Sequence, residues 1–252
     1  MSENNNSRPF VGFVLLDSVE WNQQKFCDDL KNDWGYSYTI DDEKADIVTL
    51  ELDGMTASVS FMPTPVPDGE AEENAKANYI WPKAVEVAKN HKAHLMVAVI
   101  NYGCTPLEAA MFYTKFASVC LKQDNATGIY TCGNVFSPHF YCNVADMMKQ
   151  GELPVPDWVY FGLYRTEDGM CGYTYGLADF GYDEIEVLDT NAKPQELRDF
   201  MLDIAYYVIS KNITLKDGET IGFSPDQKLS ITKSAGVALN RLTLKIEYPE
   251  NN

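Results

Sequence analysis

The chain has 252 residues and a formal net charge of −17, with 37 acidic and 20 basic side chains. A chain this acidic is repelled by phosphate backbones and anionic membrane surfaces, which excludes nucleic acid and membrane as natural partners. Hydrophobic residues make up 45% of the chain, with 16 glycines and 12 prolines, and this composition excludes a disordered or fibrous protein. The length predicts one large domain or two small ones.

The amino-terminal stretch 1–9 is polar and lacks the basic and apolar regions of a secretory signal. The longest apolar runs, Val11–Leu16 and Leu95–Ile100, are far shorter than the roughly 20 residues that span a bilayer. Six cysteines are dispersed without a CxxC pair, which favours free thiols in a reducing compartment over disulfides or a zinc site. We therefore expect a cytoplasmic protein.

The first hundred residues alternate between strand and helix signals. Compact apolar or alternating segments predict strands at 10–17, 46–52, 56–62 and 94–100. Asp53-Gly54 is a hairpin turn signal between the second and third of these. Helices are predicted at 18–34 and at 70–90, the latter split at Pro82. The order βαββαβ is that of a ferredoxin-like sandwich.

The second half repeats a similar order after a connecting helix. Thr105-Pro106-Leu107-Glu108 is a capping box with proline at the first helical position, and it opens a helix to about Lys122. An apolar stripe after Pro194, with spacing of three and four residues, predicts a helix facing a sheet. We therefore predict an α+β protein with two tandem ferredoxin-like halves, 1–103 and 127–252, joined by helix 104–126, with extra strands in the second half.

Catalytic motifs are missing from the sequence. It contains no GxSxG, HExxH, glycine-rich phosphate loop or dinucleotide fingerprint, and only three histidines. His91 and His94 are a close pair, but a helix ends and a strand begins there, so the two rings should diverge and not share a metal. The sequence therefore predicts no catalytic residue, no metal and no cofactor.

Acidic residues concentrate in one region. The stretch 166–203 holds ten acids against Lys193 and Arg198, and the densest part is the glycine- and tyrosine-rich segment 173–186. Its carboxylates could form a solvated strand face, bind a hard cation, share a proton as an acid–base pair, or face a partner. A later turn could add two acids if its strand pairs beside them. The predicted partner-binding residues are Asp179, Asp183, Glu184, Glu186, Asp217 and Glu219.

Several segments together resemble an uncharacterised bacterial family, domain of unknown function 4261. The segments are PVP at 65–67, WP at 81–82, HKAHLMV at 91–97, YTYGLADFGYDEIE at 173–186 and DGETIG at 217–222. The family brings no established activity, so the resemblance implies no catalytic residues. It does imply a likeness to acidic cytosolic proteins among the immunity-type factors of bacterial toxin systems.

The sequence favours a non-catalytic protein that binds another macromolecule. In this interpretation an immunity-type antagonist presents its acidic surface to a basic effector, raises the encounter rate and covers the effector's active site. The alternative is an enzyme, or a binder of a small ligand or cation, with a pocket between the two halves. A third interpretation is a subunit of a homo-oligomer that pairs through an open sheet edge, and the sequence leaves the oligomeric state open.

Overall fold

The computed structural model describes residues 8–38, 46–224 and 226–249. The chain divides into two compact units, Met1–Trp158 and Val159–Asn252. Each unit combines one six-stranded sheet with helices, so the predicted α+β class is confirmed. Within the described ranges, no helix is both long and apolar enough to cross a membrane. The six cysteines are free thiols, as predicted.

The first unit is built on an antiparallel sheet with the strand order β2-β3-β4-β1-β5-β6. The hairpin between β2 and β3 turns at Asp53-Gly54, as predicted, with both residues at positive φ. The strands are β1 (Phe10–Leu16), β2 (Ile47–Leu52), β3 (Met55–Met62), β4 (Ala93–Asn101), β5 (Ala126–Thr131) and β6 (Asn134–Phe136).

Helices cover both faces of this sheet. The helices are α1 (Gln23–Trp34), α2 (Glu70–Ala75), α3 (Ala84–Asn90), α4 (Pro106–Cys120), α5 (Pro138–Ala145) and α6 (Val155–Trp158). The capping box at Thr105 and Glu108 starts α4, as predicted. Gly12 in β1 leaves room for the Tyr113 hydroxyl of α4, because a Cβ there would lie 2.0 Å from that oxygen. Leu15 points to the other face, where it joins a cluster with alanines of α2 and α3.

The predicted ferredoxin-like arrangement of this unit is not confirmed. A ferredoxin-like sandwich places its first strand between its third and fourth, whereas here β4 lies between β3 and β1. Element order alone does not determine which strands pair. Helix α4, which lies in the predicted connecting helix 104–126, packs on β4 and β1, and the first unit extends to Trp158.

The second unit has a mixed sheet with the order β10-β11-β12-β9-β8-β7. Its centre is a parallel pair, β9 with β12, and the other neighbours are antiparallel. Three strands, one helix and three strands follow along the chain, so a ferredoxin-like order is not confirmed here either. The elements are β7 (Tyr160–Arg165), β8 (Met170–Tyr175), β9 (Ile185–Thr190), α7 (Pro194–Lys211), β10 (Thr220–Ile221), β11 (Leu229–Ala235) and β12 (Leu242–Ile246).

The apolar stripe of α7 faces the second sheet, as its spacing predicted. Its members are all buried: Leu197, Phe200, Met201, Ile204, Ala205, Val208 and Ile209. Gly172 in β8 allows a close approach, because a Cβ there would lie 2.6 Å from the sulfur of Met201. The helix and the sheet thus form the core that positions the acidic segment between β8 and β9.

Candidate binding surface

The six predicted partner-binding acids separate into two buried and four partly or fully exposed side chains. Glu184 is 1% exposed and Glu186 is fully buried. One possibility that the sequence left open, a solvated strand face formed by these two glutamates, is therefore wrong. Asp179 and Asp183 are partly exposed, and Asp217 and Glu219 are exposed.

Glu184 lies just before β9 and binds the turn that follows β8. Its carboxylate oxygens accept hydrogen bonds from the backbone N–H groups of Gly176 at 2.9 Å, Ala178 at 3.2 Å and Leu177 at 3.3 Å. The Thr174 hydroxyl donates to Oε2 at 2.7 Å. Glu184 therefore holds residues 176–178, the Glu184 turn, through three backbone N–H groups, and all four of its donors are uncharged.

Glu186 lies in β9 and binds the connection between β11 and β12. Its carboxylate accepts from the N–H groups of Val237 at 3.0 Å and Ala238 at 2.9 Å, and from the Thr243 hydroxyl at 3.1 Å. The Lys245 Nζ lies 3.2 Å from Oε2. Glu186 therefore holds residues 237–238, the Glu186 turn, and it does so with a cation as one of its partners.

The two carboxyls differ in the direction of their pKa shift. Burial raises the pKa of Glu184 above its ordinary value, and the hydrogen bonds from Gly176, Thr174, Ala178 and Leu177 only partly offset that effect. Burial also acts to raise the pKa of Glu186. There, however, the hydrogen bonds from the Glu186 turn and from Lys245 and Thr243 outweigh burial, and its pKa lies below the ordinary value.

Two of the exposed acids meet at one lysine. The Asp183 carboxylate lies 2.6 Å from the Nζ of Lys233, and the Asp217 carboxylate accepts the Lys233 backbone N–H at 2.8 Å. Glu219 instead accepts the backbone N–H of Lys216 at 3.0 Å, within its own turn. The structure therefore brings Asp183 and Asp217 to one lysine, although β10 does not pair with β9.

Three apolar or aromatic side chains in or beside these turns are exposed, and no pattern in the sequence predicts their exposure. Val237 is 63% exposed, Leu242 58% and Tyr175 36%. The guanidinium of Arg241 lies over the Tyr175 ring, 5.6 Å from its centre. It thus links the end of β8 to the connection between β11 and β12. Because β8 ends, and β9 and β12 begin, at the same end of the sheet, these residues share that end with Asp183.

The acidic stretch remains strongly charged after Glu184 and Glu186 are buried. Its two bases already have partners, since Lys193 pairs with Glu196 and Arg198 with Asp199. None of the other eight acids is buried: Glu167, Asp168, Asp179, Asp183, Asp189, Glu196, Asp199 and Asp203. The described part of this stretch therefore keeps a marked excess of negative charge, which is divided between the end of the sheet with Asp183 and the opposite end with Asp189.

A groove of about 740 Å³ lies elsewhere in the second unit. It is lined by residues 188–192, 228–229 and 247–249, beyond the other end of β9. None of the six predicted acids lines it. In the described part of the chain, no group of three or more histidine, cysteine or acidic side chains is arranged to hold a metal.

Comparison with known families bears directly on this unit. Residues 173–247 match the family model described as a domain of unknown function, DUF4261. The matched segment makes up most of the second unit. The predicted resemblance is thereby confirmed over this segment, which contains Glu184, Glu186 and the two turns they hold. No curated protein and no solved structure matches the chain.

Proposed function

We propose that this protein is a non-catalytic binding protein that recognises a basic protein through the acidic surface of its DUF4261 domain. The observation that carries the proposal is the negative charge of the second unit: within 166–203 eight acids are not buried and both bases already have partners, and Asp217 and Glu219 add two exposed acids. An immunity-type antagonist of a basic effector is the form of this function that we favour.

Two physical effects support such a partner. A surface with one sign of charge speeds the encounter with a partner of opposite sign, and this rate falls as salt screens the charges. Turns that are already fixed by buried carboxylates lose little conformational entropy when a partner binds. Tyrosine and arginine, which are enriched among energetically dominant interface residues, lie at the same end as Asp183.

The surface predicted from the sequence needs one change. Glu184 and Glu186 act from inside the domain by fixing the turns, so they do not touch a partner. The contact residues in the proposal are Asp179, Asp183, Asp217 and Glu219.

The test compares two variants that each lose four negative charges. The site variant combines Asp179→Asn, Asp183→Asn, Asp217→Asn and Glu219→Gln. The control combines four exposed acids of the first unit, Glu20→Gln, Glu51→Gln, Glu86→Gln and Asp124→Asn. Tagged proteins are purified from the native host at low and moderate salt, the co-eluting protein is identified by mass spectrometry, and its Kd for each variant is measured.

We expect a basic partner that salt releases and that binds the site variant at least about tenfold more weakly than the control. Equal binding of the two variants would contradict the acidic site. A partner that is not basic, or no partner at either salt concentration, would contradict the proposed function.

The groove of the second unit supports a second candidate, a binder of a small ligand. Its volume lies within the range of about 300–1,000 Å³ that ligand sites occupy. Asp189, Lys228 and Glu247 line it with charges of both signs. A metabolite or divalent cation that raises Tm for the wild type, but not for Lys228→Ala, would favour this candidate, because ligands of the native state stabilise it.

A further inference from the structure

Two buried histidines of the first unit bind one short proline-rich segment. His91 follows α3 and is 8% exposed, and His94 lies in β4 and is 4% exposed. Both rings hydrogen-bond to the backbone of residues 63–67, the proline segment, which leads from β3 toward α2. The close histidine pair in the sequence therefore holds a backbone segment in place.

The proline segment offers few backbone N–H groups for hydrogen bonds that would hold it in place. Pro63, Pro65 and Pro67 have no N–H group, so Thr64 and Val66 supply the only two backbone donors of the segment. The N–H of Val66 donates to Nε2 of His91 at 2.8 Å, and the Thr64 carbonyl accepts from Nδ1 of His94 at 2.8 Å.

These contacts require His91 to be neutral. Its Nδ1 donates to the Ala88 carbonyl, and its Nε2 accepts from Val66, so the imidazole uses one nitrogen in each role. A proton added to Nε2 would place two donors, N–H against N–H, at hydrogen-bond distance. Protonation of His94 would leave its bond to Thr64 intact and add a second positive charge beside His91.

We propose that His91 is an acid-sensitive latch: its protonation releases the Val66 N–H, and with it residues 66–67 of the proline segment and the start of α2, while His94 still holds Thr64. The Val66 side chain is 4% exposed and belongs to the apolar cluster with Ala71 and Ala75 of α2. Release of the latch therefore uncovers that cluster. The latch lies in the first unit and does not depend on the binding function proposed for the second.

The surroundings of the two rings favour their neutral forms. Burial lowers the pKa of His91, and burial together with the neighbouring His91 lowers the pKa of His94. The charged neighbours in the chain are Lys89 and Lys92, which flank His91, and Asp68 and Glu70, which follow Val66. Glu70 accepts a hydrogen bond from the Tyr130 hydroxyl at 2.8 Å, and the rings of Phe13 and His94 are in T-shaped contact with their centres 5.5 Å apart.

The sign of the pH effect follows from these directions. A histidine whose pKa is lowered in the latched state takes up its proton when the latch opens. The latch is therefore fully stable above the ordinary histidine pKa of about 6.5 and weakens as the pH falls below it. For one proton, the population of the open state rises about tenfold for each pH unit in this window.

The experiment follows the amide exchange of Val66 by NMR from about pH 7.5 to about pH 5, with correction for the intrinsic exchange rate. We expect its protection factor to fall about tenfold per pH unit below the onset. His91→Gln keeps an acceptor oxygen but does not titrate, so its Val66 protection should not depend on pH. His139→Gln, at the exposed third histidine, should behave as the wild type.

Two results would overturn the latch. One is a wild-type Val66 protection factor that stays constant over this range. The other is the same decline in His91→Gln as in the wild type. If His91→Gln does not fold, the wild type decides alone: the decline in Val66 protection must level off at the pH where the His91 ring titrates, and levelling off at a different pH would refute the coupling.

Discussion

The Glu184 turn and the Glu186 turn are held by carboxylates two positions apart, yet their charge balance differs. Glu184 receives four hydrogen bonds, all from uncharged groups. Glu186 receives comparable backbone and hydroxyl bonds and, in addition, lies 3.2 Å from the ammonium of Lys245. The pKa of Glu184 is raised and that of Glu186 is lowered.

The difference shows what a buried carboxylate needs in order to stay ionised. Hydrogen bonds from neutral donors compensate only part of the lost hydration, whereas a nearby cation adds a direct charge interaction. The two charges of the second arrangement depend on each other, because Lys245 is itself largely buried and Glu186 is its counterion. Removing either charge leaves the other without its counterion.

Replacing Glu186 should have the largest effect on stability. Glu186→Ala leaves a largely buried ammonium without its counterion and two turn N–H groups without their acceptor, and we expect a loss of about 3–5 kcal/mol. The measurement is urea unfolding followed by hydrogen exchange in second-unit peptides, since all four tryptophans lie in residues 1–158. Glu167→Ala, at an exposed acid, should change stability by less than about 0.5 kcal/mol. Equal effects of the two substitutions would show that the buried pair is dispensable.

Glu184→Ala should cost less, about 2 kcal/mol, because it removes a poorly compensated buried charge along with the hydrogen bonds. We expect the amides of Gly176 and Ala178 to lose protection while that of Val237 keeps it. Hydrogen exchange resolved by residue measures this. Loss of protection in both turns would mean that the two turns are one cooperative unit.

The contributions of the two glutamates to the stability of the fold should change with pH in opposite directions. Between about pH 4.5 and the raised pKa of Glu184, the folded state binds the extra proton, so Glu184 stabilises the fold increasingly as the pH falls. Glu186 has a lowered pKa, so its contribution is complete above about pH 4.5 and is lost as the pH falls through that lowered value.

Stability curves against pH for the wild type, Glu184→Gln and Glu186→Gln measure these slopes. The advantage of the wild type over Glu184→Gln should grow toward acid pH, and its advantage over Glu186→Gln should shrink. Slopes of the same sign for both pairs would contradict the role given to Lys245.

The ion pair of Asp183 with Lys233 should contribute least. Its side chains are 32% and 36% exposed, so solvent screens the pair, and we expect a coupling below about 1 kcal/mol. A double-mutant cycle of Asp183→Ala and Lys233→Ala measures the coupling. A value near that of the buried pair would mean that exposure does not control the difference between these two ion pairs.

Local signals in the sequence predicted many elements well. The capping box at Thr105, the Asp53-Gly54 hairpin and the stripe of α7 depend on contacts between near neighbours in the chain, and all three are confirmed. Strand order depends on distant pairing, and so the ferredoxin-like topology could not be derived from element order. No local signal in the sequence predicts the strand Leu229–Ala235, because its second half is exposed and polar.

The burial of Glu184 and Glu186 could not be predicted for a related reason. In the run Glu184-Ile185-Glu186-Val187, alternation indicates one polar and one apolar face, and a polar face is usually solvated. What covers Glu186 is a turn 51 residues further along the chain. Because this contact joins residues that are distant in the chain, no local pattern in the sequence predicts it.

The parallel pairing of β9 with β12 has a consequence for how the second unit folds. The partners in register, Ile185 with Leu244, are separated by α7 and the strands β10 and β11. During synthesis the middle of the sheet therefore stays open until β12 has left the ribosome, and closing this long loop is entropically slow. Until then the edge of β9 that pairs with β12 is unpaired, and Glu186 lacks both the Glu186 turn and Lys245.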